Sequence, residues 1–376
     1  MRRRSVRAAT ATATLRREAT GGDGLMYRGA SVGVVLPAYN EAGFVGDVIR
    51  EMPEYVDRMY VIDDQSTDST WEEILDAARD DATANGTPQS GERAALVADG
   101  GTSVLNRASV HETIGRVVPI RHTENRGAGG AIKTGYLAAR EDGVDVTTTV
   151  DADGQMDLSQ LPQLLDPIVD GKADYAKGNR LLSREYRATM PRFRFIGNSM
   201  LTFLTKISSG YWKTMDPQNG YTAISHDALD AIDLENLYEY YGYCNDILVK
   251  LNVQEMRVAD VAMPALYGDE ESSIQYSQYI PKVSTMLLQN FLWRLKTKYL
   301  TVDFHPLALF YLVGGGLAAS GALAIGALLI SLLSSVVPTL LGATTSLLLV
   351  ISGIAFLLFA MVFDMAESER LEMQVQ

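Results

Sequence analysis

Apolar and polar positions divide the chain into two regimes. Before about residue 303, short β-rich apolar runs alternate with segments of helical spacing. Val32–Leu36 (VGVVL), ended by Pro37, and Arg58–Asp63 (RMYVID) read as buried strands, with helical spacing over Ala42–Met52 between them. Ser69–Ala78 predicts a helix with Asp68 as N-cap. Val117–Arg121 predicts a third strand, Gly130–Arg140 a helix, Val144–Val150 (VDVTTTV) a fourth strand, Leu158–Val169 a helix and Ala173–Lys177 a fifth strand. Strands alternating with helices predict a mostly parallel sheet with crossover helices, an α/β domain. From about 80 to 115 the chain is polar and aperiodic, which reads as an insertion or long surface loop.

The second regime begins at Phe304. From there to Phe363 no Asp, Glu, Lys or Arg occurs. The block divides into Leu307–Leu333 and Thr345–Phe363 around Ser334, Ser335 and Pro338, each part long enough for one crossing of roughly 20 residues. Residues 304–364 are therefore expected to form a transmembrane hairpin, because core helices of that length carry a polar face. Just before it, Gln289–Tyr299 (QNFLWRLKTKY) mixes aromatic, apolar and basic residues, so 286–303 is expected to be an amphipathic interfacial helix. Arg294, Lys296 and Lys298 precede the first crossing and the hairpin loop carries no positive charge. The positive-inside rule then puts the soluble domain, and a tail over 365–376, on the cytoplasmic side. Residues 1–30 are expected to be a disordered extension: MRRRSVRAATATATLRRE lacks the apolar core of a secretory signal, and Met26 stands just ahead of the first strand.

A net charge of −13 argues against a nucleic-acid partner. Cys244 is the only cysteine, which excludes a disulfide framework or a Cys-based metal site.

The stretch TENRGAGGAIKTG (123–135) suggests a phosphate cradle, yet both standard templates fail at one residue. A P-loop needs Gly immediately before its Lys, and a dinucleotide fingerprint needs its third Gly; Ile132 stands in each place. The stretch is expected instead to be a glycine-lined turn on which a ligand lies close to backbone, with Lys133 on the helix surface. Ligands of open α/β sheets bind at the C-terminal strand ends. That rule gathers Pro37–Glu41, Asp63–Asp68, Arg121–Arg126 and Asp151–Gln155 along one edge. Asp151 and Asp153, two carboxylates at i and i+2 after a β-branched strand, suit Mg²⁺ or Mn²⁺ that also holds a diphosphate. Arg180, Arg192 and Arg194 are candidate phosphate contacts.

VVLPAYNEA, VIDDQSTDST, HTENRGAGGA, DADGQ and DPQNGYTAIS, in this order and at these intervals, resemble family 2 glycosyltransferases of the GT-A fold, specifically the dolichyl- or polyprenyl-phosphate sugar synthases such as the dolichyl-phosphate mannose type. The resemblance covers roughly 31–267, within a catalytic domain expected over 31–285, and extends to the membrane hairpin. It implies that Pro37, Tyr39 and Glu41 contact the base and ribose of a nucleoside diphosphate sugar, with Ile62, Asp63 and Asp64 completing that pocket. It implies that Asp151, Ala152 and Asp153 form the DxD segment, with Gln155 as a further metal ligand. Arg180 would approach the donor phosphates, Arg194 and Asn198 the lipid phosphate, and Asp216 would orient the acceptor, act as a base or merely structure its loop. One departure is Ala265, where the family has an arginine ahead of its closing Tyr-Gly, here Tyr267-Gly268. The implied reaction moves a hexose, mannose or glucose, from GDP-mannose or UDP-glucose to dolichyl or polyprenyl phosphate with inversion, beside the lipid bilayer. A homo-oligomer is left open. A processive polysaccharide synthase is the rival enzyme, though its Q-x-x-R-W is matched only by the differently spaced Gln289, Trp293 and Arg294. An inactive membrane scaffold is the rival non-enzyme.

Overall fold

The structure is a computed structural model, and it describes residues 26–86, 104, 106–182, 192–263, 276–302, 304–333 and 340–375. Residues 1–25 of the expected extension, half of the expected insertion, the hairpin turn, and Ala265, Tyr267 and Gly268 lie outside the described residues.

Among the described residues nine strands form one mixed sheet: β1 Val32–Ala38, β2 Arg58–Asp63, β3 Ala108–Val110, β4 Val117–His122, β5 Val146–Thr149, β6 Tyr175–Asn179, β7 Thr222–Ser225, β8 Val258–Ala262 and β9 Glu372–Val375. Their order is β3-β4-β2-β1-β5-β7-β6-β8-β9. β3 and β7 run against their neighbours, so the sheet is mostly parallel rather than wholly so. Helices α1 Val45–Glu51, α2 Thr70–Ala84, α3 Ala128–Asp142, α4 Leu161–Val169, α5 Arg192–Ser209, α6 His226–Ala231 and α7 Tyr243–Val253 complete the α/β domain. β1, β2, β4 and β5 are central strands buried on both faces, which is why they read as runs of apolar and β-branched residues, β5 with three buried threonines. After β4 the chain returns to the far side of β1 to lay down β5. The strand order therefore reverses between β1 and β5, and the crevice lies at their C-terminal ends.

Several expected boundaries move. α2 extends to Ala84 into the expected insertion, and β3 lies within the same stretch. Residues 27–30 belong to the domain: Tyr27 bridges to Ala30, its hydroxyl donates to Asp166 at 2.8 Å, and Arg28 pairs with Asp166 and Asp170.

The expected interfacial helix is longer and less uniformly superficial. α8 spans Tyr276–Lys296 and runs into a π-helical turn over Thr297–Val302. Leu288, Leu292 and Trp293 are exposed on it, but Arg294 is wholly buried. Two apolar helices follow, α9 Pro306–Leu333 and α10 Leu340–Ser368, each long and apolar enough to cross a membrane. Both leave most of their surface uncovered, unlike the core helices of a soluble domain. The expected tail is not a tail. α10 continues through Ser368, a tight turn spans Glu369–Leu371, and β9 joins the sheet in parallel with β8.

Candidate active site

Two loops at the β1 and β2 ends are knitted together first. The Asp64 N–H donates to Ala38 O at 2.8 Å, the Asn40 N–H to Ser66 Oγ at 3.0 Å, and Asn40 Oδ1 accepts from the Thr67 N–H at 2.8 Å. The Glu41 N–H donates to Thr70 Oγ1 at 2.8 Å. Pro37 and Ile62 are register partners, and Tyr39 is half exposed at the rim. Five of the expected nucleotide contacts, Pro37, Tyr39, Glu41, Ile62 and Asp64, thus lie along one edge.

The acids of β2 face inward. Asp63 is fully buried, accepts from the Ser66 N–H and lies 2.9 Å from Arg121 Nε. Asp64 is also buried; it accepts from the N–H groups of Arg126 and Gly127 at 2.8 and 2.7 Å, and meets His122 Nδ1 at 2.6 Å. Its carboxylate therefore holds the glycine turn in place.

The glycines of that turn serve close packing. A Cβ on Gly129 would lie 2.6 Å from Tyr238 O, and one on Gly135 would lie 2.7 Å from Val35 Cγ2, so the glycines let α3 close on β1 and on the 238–239 backbone. The Gly130 N–H is taken by Glu239 O at 2.8 Å. Lys133, expected on the helix surface, is buried and donates to Glu235 O and Glu239 Oε1 at 2.6 and 2.8 Å.

Asp151 follows β5 and faces the crevice. Burial, reinforced by the negative charge of Asp153, pushes its carboxyl up to about 7. Gly154 turns the chain at φ +73, and Asp153 Oδ1 accepts the Gln155 N–H at 3.0 Å. Ala152 is buried beneath them. Among the described residues no group of three or more His, Cys, Asp or Glu side chains could hold a metal. Two carboxylates, of which Asp151 is disfavoured as a charge by burial, and an amide nevertheless fit a hard divalent cation that takes its remaining ligands from water and a diphosphate. The unbalanced charge is what such a cation relieves.

Arg180, at the end of β6, grips Asp216 through Nε–Oδ2 at 2.7 Å and Nη2–Oδ1 at 2.8 Å. Burial raises the Asp216 carboxyl, but the bonds and charge of Arg180, with the charge of Lys177, outweigh it and hold it below the usual carboxylate range. A carboxylate so engaged is a weak base. Asp216 sits at φ +49 in the turn whose Gly220 borders both the Asp151 carboxylate and the Tyr243 hydroxyl. Arg194 and Asn198 stand one turn apart on α5; their side chains lie outside the described residues.

Some contributors carried no sequence signal. Lys177 and Asp260 form a fully buried pair at 2.9 Å that bonds the Met215 backbone next to Asp216, and Tyr243 comes from α7. Isolated charges in strands look like any solvated residue until β6 and β8 pair.

The chain is similar to several known proteins. The profile of glycosyl transferase family 2 matches residues 96–233. The UDP-N-acetylglucosamine–dolichyl-phosphate N-acetylglucosaminyltransferase of Methanococcus voltae is 26% identical over 63% of this chain and 86% of its own. The undecaprenyl-phosphate mannosyltransferase of Micrococcus luteus is 29% identical over 40% of this chain and 61% of its own. Among solved structures, glucosyl-3-phosphoglycerate synthase from Mycobacterium tuberculosis with bound UDP is 19% identical over 71% of this chain and 80% of its own, at a TM-score of 0.45.

Proposed function

We propose that this chain, which carries a family 2 glycosyltransferase domain of GT-A type, moves a hexose or N-acetylhexosamine from a nucleoside diphosphate sugar to a polyprenyl phosphate such as dolichyl phosphate. The observation that carries the reading is the Asp151 carboxylate, two residues before Asp153, lying beside Gly220 of the turn that carries Asp216 and its partner Arg180, in a domain joined to two apolar helices. The names of the relatives support the lipid phosphate as acceptor. They widen the sugar from mannose or glucose to include N-acetylglucosamine.

The chemistry asks little of a general base. A phosphate monoester has a second pKa near 6 and is mostly dianionic at neutral pH. Its oxygen attacks the anomeric carbon as the bond to the leaving diphosphate breaks, with inversion and no proton to remove. Pro37, Tyr39 and Glu41 at the open rim would hold the base and ribose. Asp151, Asp153 and Gln155 would hold Mg²⁺ or Mn²⁺, which when bound neutralises charge on the leaving diphosphate. Arg180 adds a permanent positive charge at the same end, and Asp216 orients it rather than acting as base. Arg194 and Asn198 on α5 would receive the lipid phosphate.

The apolar hairpin would keep the site at headgroup height, where an isoprenoid tail need not leave the bilayer. A cytoplasmic catalytic domain belongs to the same proposal, with one adjustment. Of the three cations before α9 only Lys296 is exposed, because Arg294 and Lys298 are buried.

Membranes containing the full chain are incubated with labelled UDP-N-acetylglucosamine, UDP-glucose or GDP-mannose and Mg²⁺ or Mn²⁺, then extracted for lipid. A mild-acid-labile glycolipid supports the proposal; polymer indicates a processive synthase, and no product with any donor indicates a scaffold. Asp151→Asn is expected to lower glycolipid formation about 100-fold, and an undiminished rate would refute the metal assignment.

A further inference from the structure

The segment between the acceptor helix and the Asp216 turn is gripped residue by residue from the far end of the chain. Arg294 donates to Ile207 O and Ser208 O at 3.0 and 2.8 Å, at the end of α5, and pairs with Asp364 of α10 through two bonds of 2.8 Å. Beyond α10, Glu372 opens β9 and takes three consecutive backbone donors. Its Oε1 accepts from the Trp212 N–H at 2.8 Å, and its Oε2 from those of Lys213 and Thr214 at 2.6 and 2.9 Å. The Met215 N–H then goes to Asp260 Oδ2 at 2.7 Å, and Lys177 bonds both Met215 O and Asp260. Asp216 comes next, at φ +49 and holding Arg180. A non-glycine residue in the left-handed region persists only where its surroundings over-determine it. Glu372 supplies part of that constraint from 160 residues away.

We propose that Glu372 is a positioning residue for the transfer reaction. By fixing Trp212–Thr214 it fixes Met215 and Asp216, and through them the direction of Arg180 at the diphosphate end of the site. The strand after the second apolar helix is thereby part of the donor site's scaffold. The proposal rests on the reading of Arg180 as a donor-phosphate contact.

The test uses the full chain in detergent micelles and measures binding of UDP and GDP with Mn²⁺ by calorimetry. Steady-state kinetics for both substrates and the unfolding temperature are measured alongside. Glu372→Ala is expected to weaken the nucleotide that the native protein binds by about tenfold while leaving KM for polyprenyl phosphate unchanged. The loss should vanish in an Arg180→Ala background, since Glu372 acts through that side chain. Glu372→Gln should recover part of the affinity, because its carbonyl still accepts from Lys213 and Thr214, and it carries the comparison where the alanine variant does not fold. Unchanged nucleotide affinity, or losses that add to those of Arg180→Ala, would overturn the proposal even if the unfolding temperature fell. A native protein that makes no glycolipid yet obeys this cycle would refute the transfer reaction and uphold the positioning role. A native protein that binds neither nucleotide would overturn both.

Discussion

Replacing Asp64 with asparagine alters one atom of a buried side chain and almost none of its volume. In the native fold Oδ1 meets His122 Nδ1 at 2.6 Å and the Arg126 N–H at 2.8 Å, while Oδ2 accepts from the Gly127 N–H at 2.7 Å. Asp64 is 3% exposed, so water does not take over those donors. The better amide orientation keeps a carbonyl oxygen toward His122 and Arg126 and turns an NH₂ group against the Gly127 N–H. One charge-assisted bond worth about 1.5–3 kcal/mol is lost, and a buried donor left facing another donor costs about 1–3 kcal/mol more. The total is about 3–5 kcal/mol, or about 10 °C in unfolding temperature for a domain of this size. Thermal unfolding of the purified protein, read by intrinsic fluorescence, measures the shift, with UDP and GDP binding determined on the same samples. A shift under about 2 °C accompanied by lost nucleotide affinity would refute the bracing role and restore Asp64 as a ligand contact.

Three further outcomes are expected. Asp364→Asn should cost about 3–5 kcal/mol because it leaves Arg294 buried without its counter-charge; joint replacement of Arg294 and Asp364 by Met and Leu should cost much less, as a double-mutant unfolding series would show. Gly135→Ala should destabilise by about 1–3 kcal/mol, since its methyl group meets Val35 on β1; chemical denaturation measures this, and a neutral result would mean that α3 can shift. Mn²⁺ affinity, measured by calorimetry at low ionic strength, should rise about tenfold from pH 6 to pH 8, because Asp151 must shed its proton to bind and its carboxyl stands at about 7. The sign for the metal-free fold is opposite: a raised folded-state pKa stabilises at low pH, and that contribution fades as pH rises from about 4 through about 7. A flat affinity profile would place the cation elsewhere.

Local sequence determined most of what repeats locally. The strands β1, β2, β4 and β5 and the helices α3 and α4 follow from runs of β-branched residues and from helical spacing, because burial on both faces of a central strand favours apolar and β-branched residues. The Asp151–Asp153 carboxylate pair was legible because the two acids stand two positions apart just after a β-branched strand, and the two apolar helices because an uncharged run of that length admits few other structures. Only the tertiary structure decided which polar residues face the crevice and which serve the scaffold. Asp64, Lys133 and Arg294 carry charges that looked available for ligand, surface or membrane boundary. Each is buried against partners 58 or more residues away. Glu372 is the extreme case: nothing near it in sequence indicates that a strand will form there, since β9 exists only by pairing with β8 after α10 returns to the sheet. Propensity and periodicity reach a few residues along the chain. A buried charge is settled by whatever the fold brings alongside it.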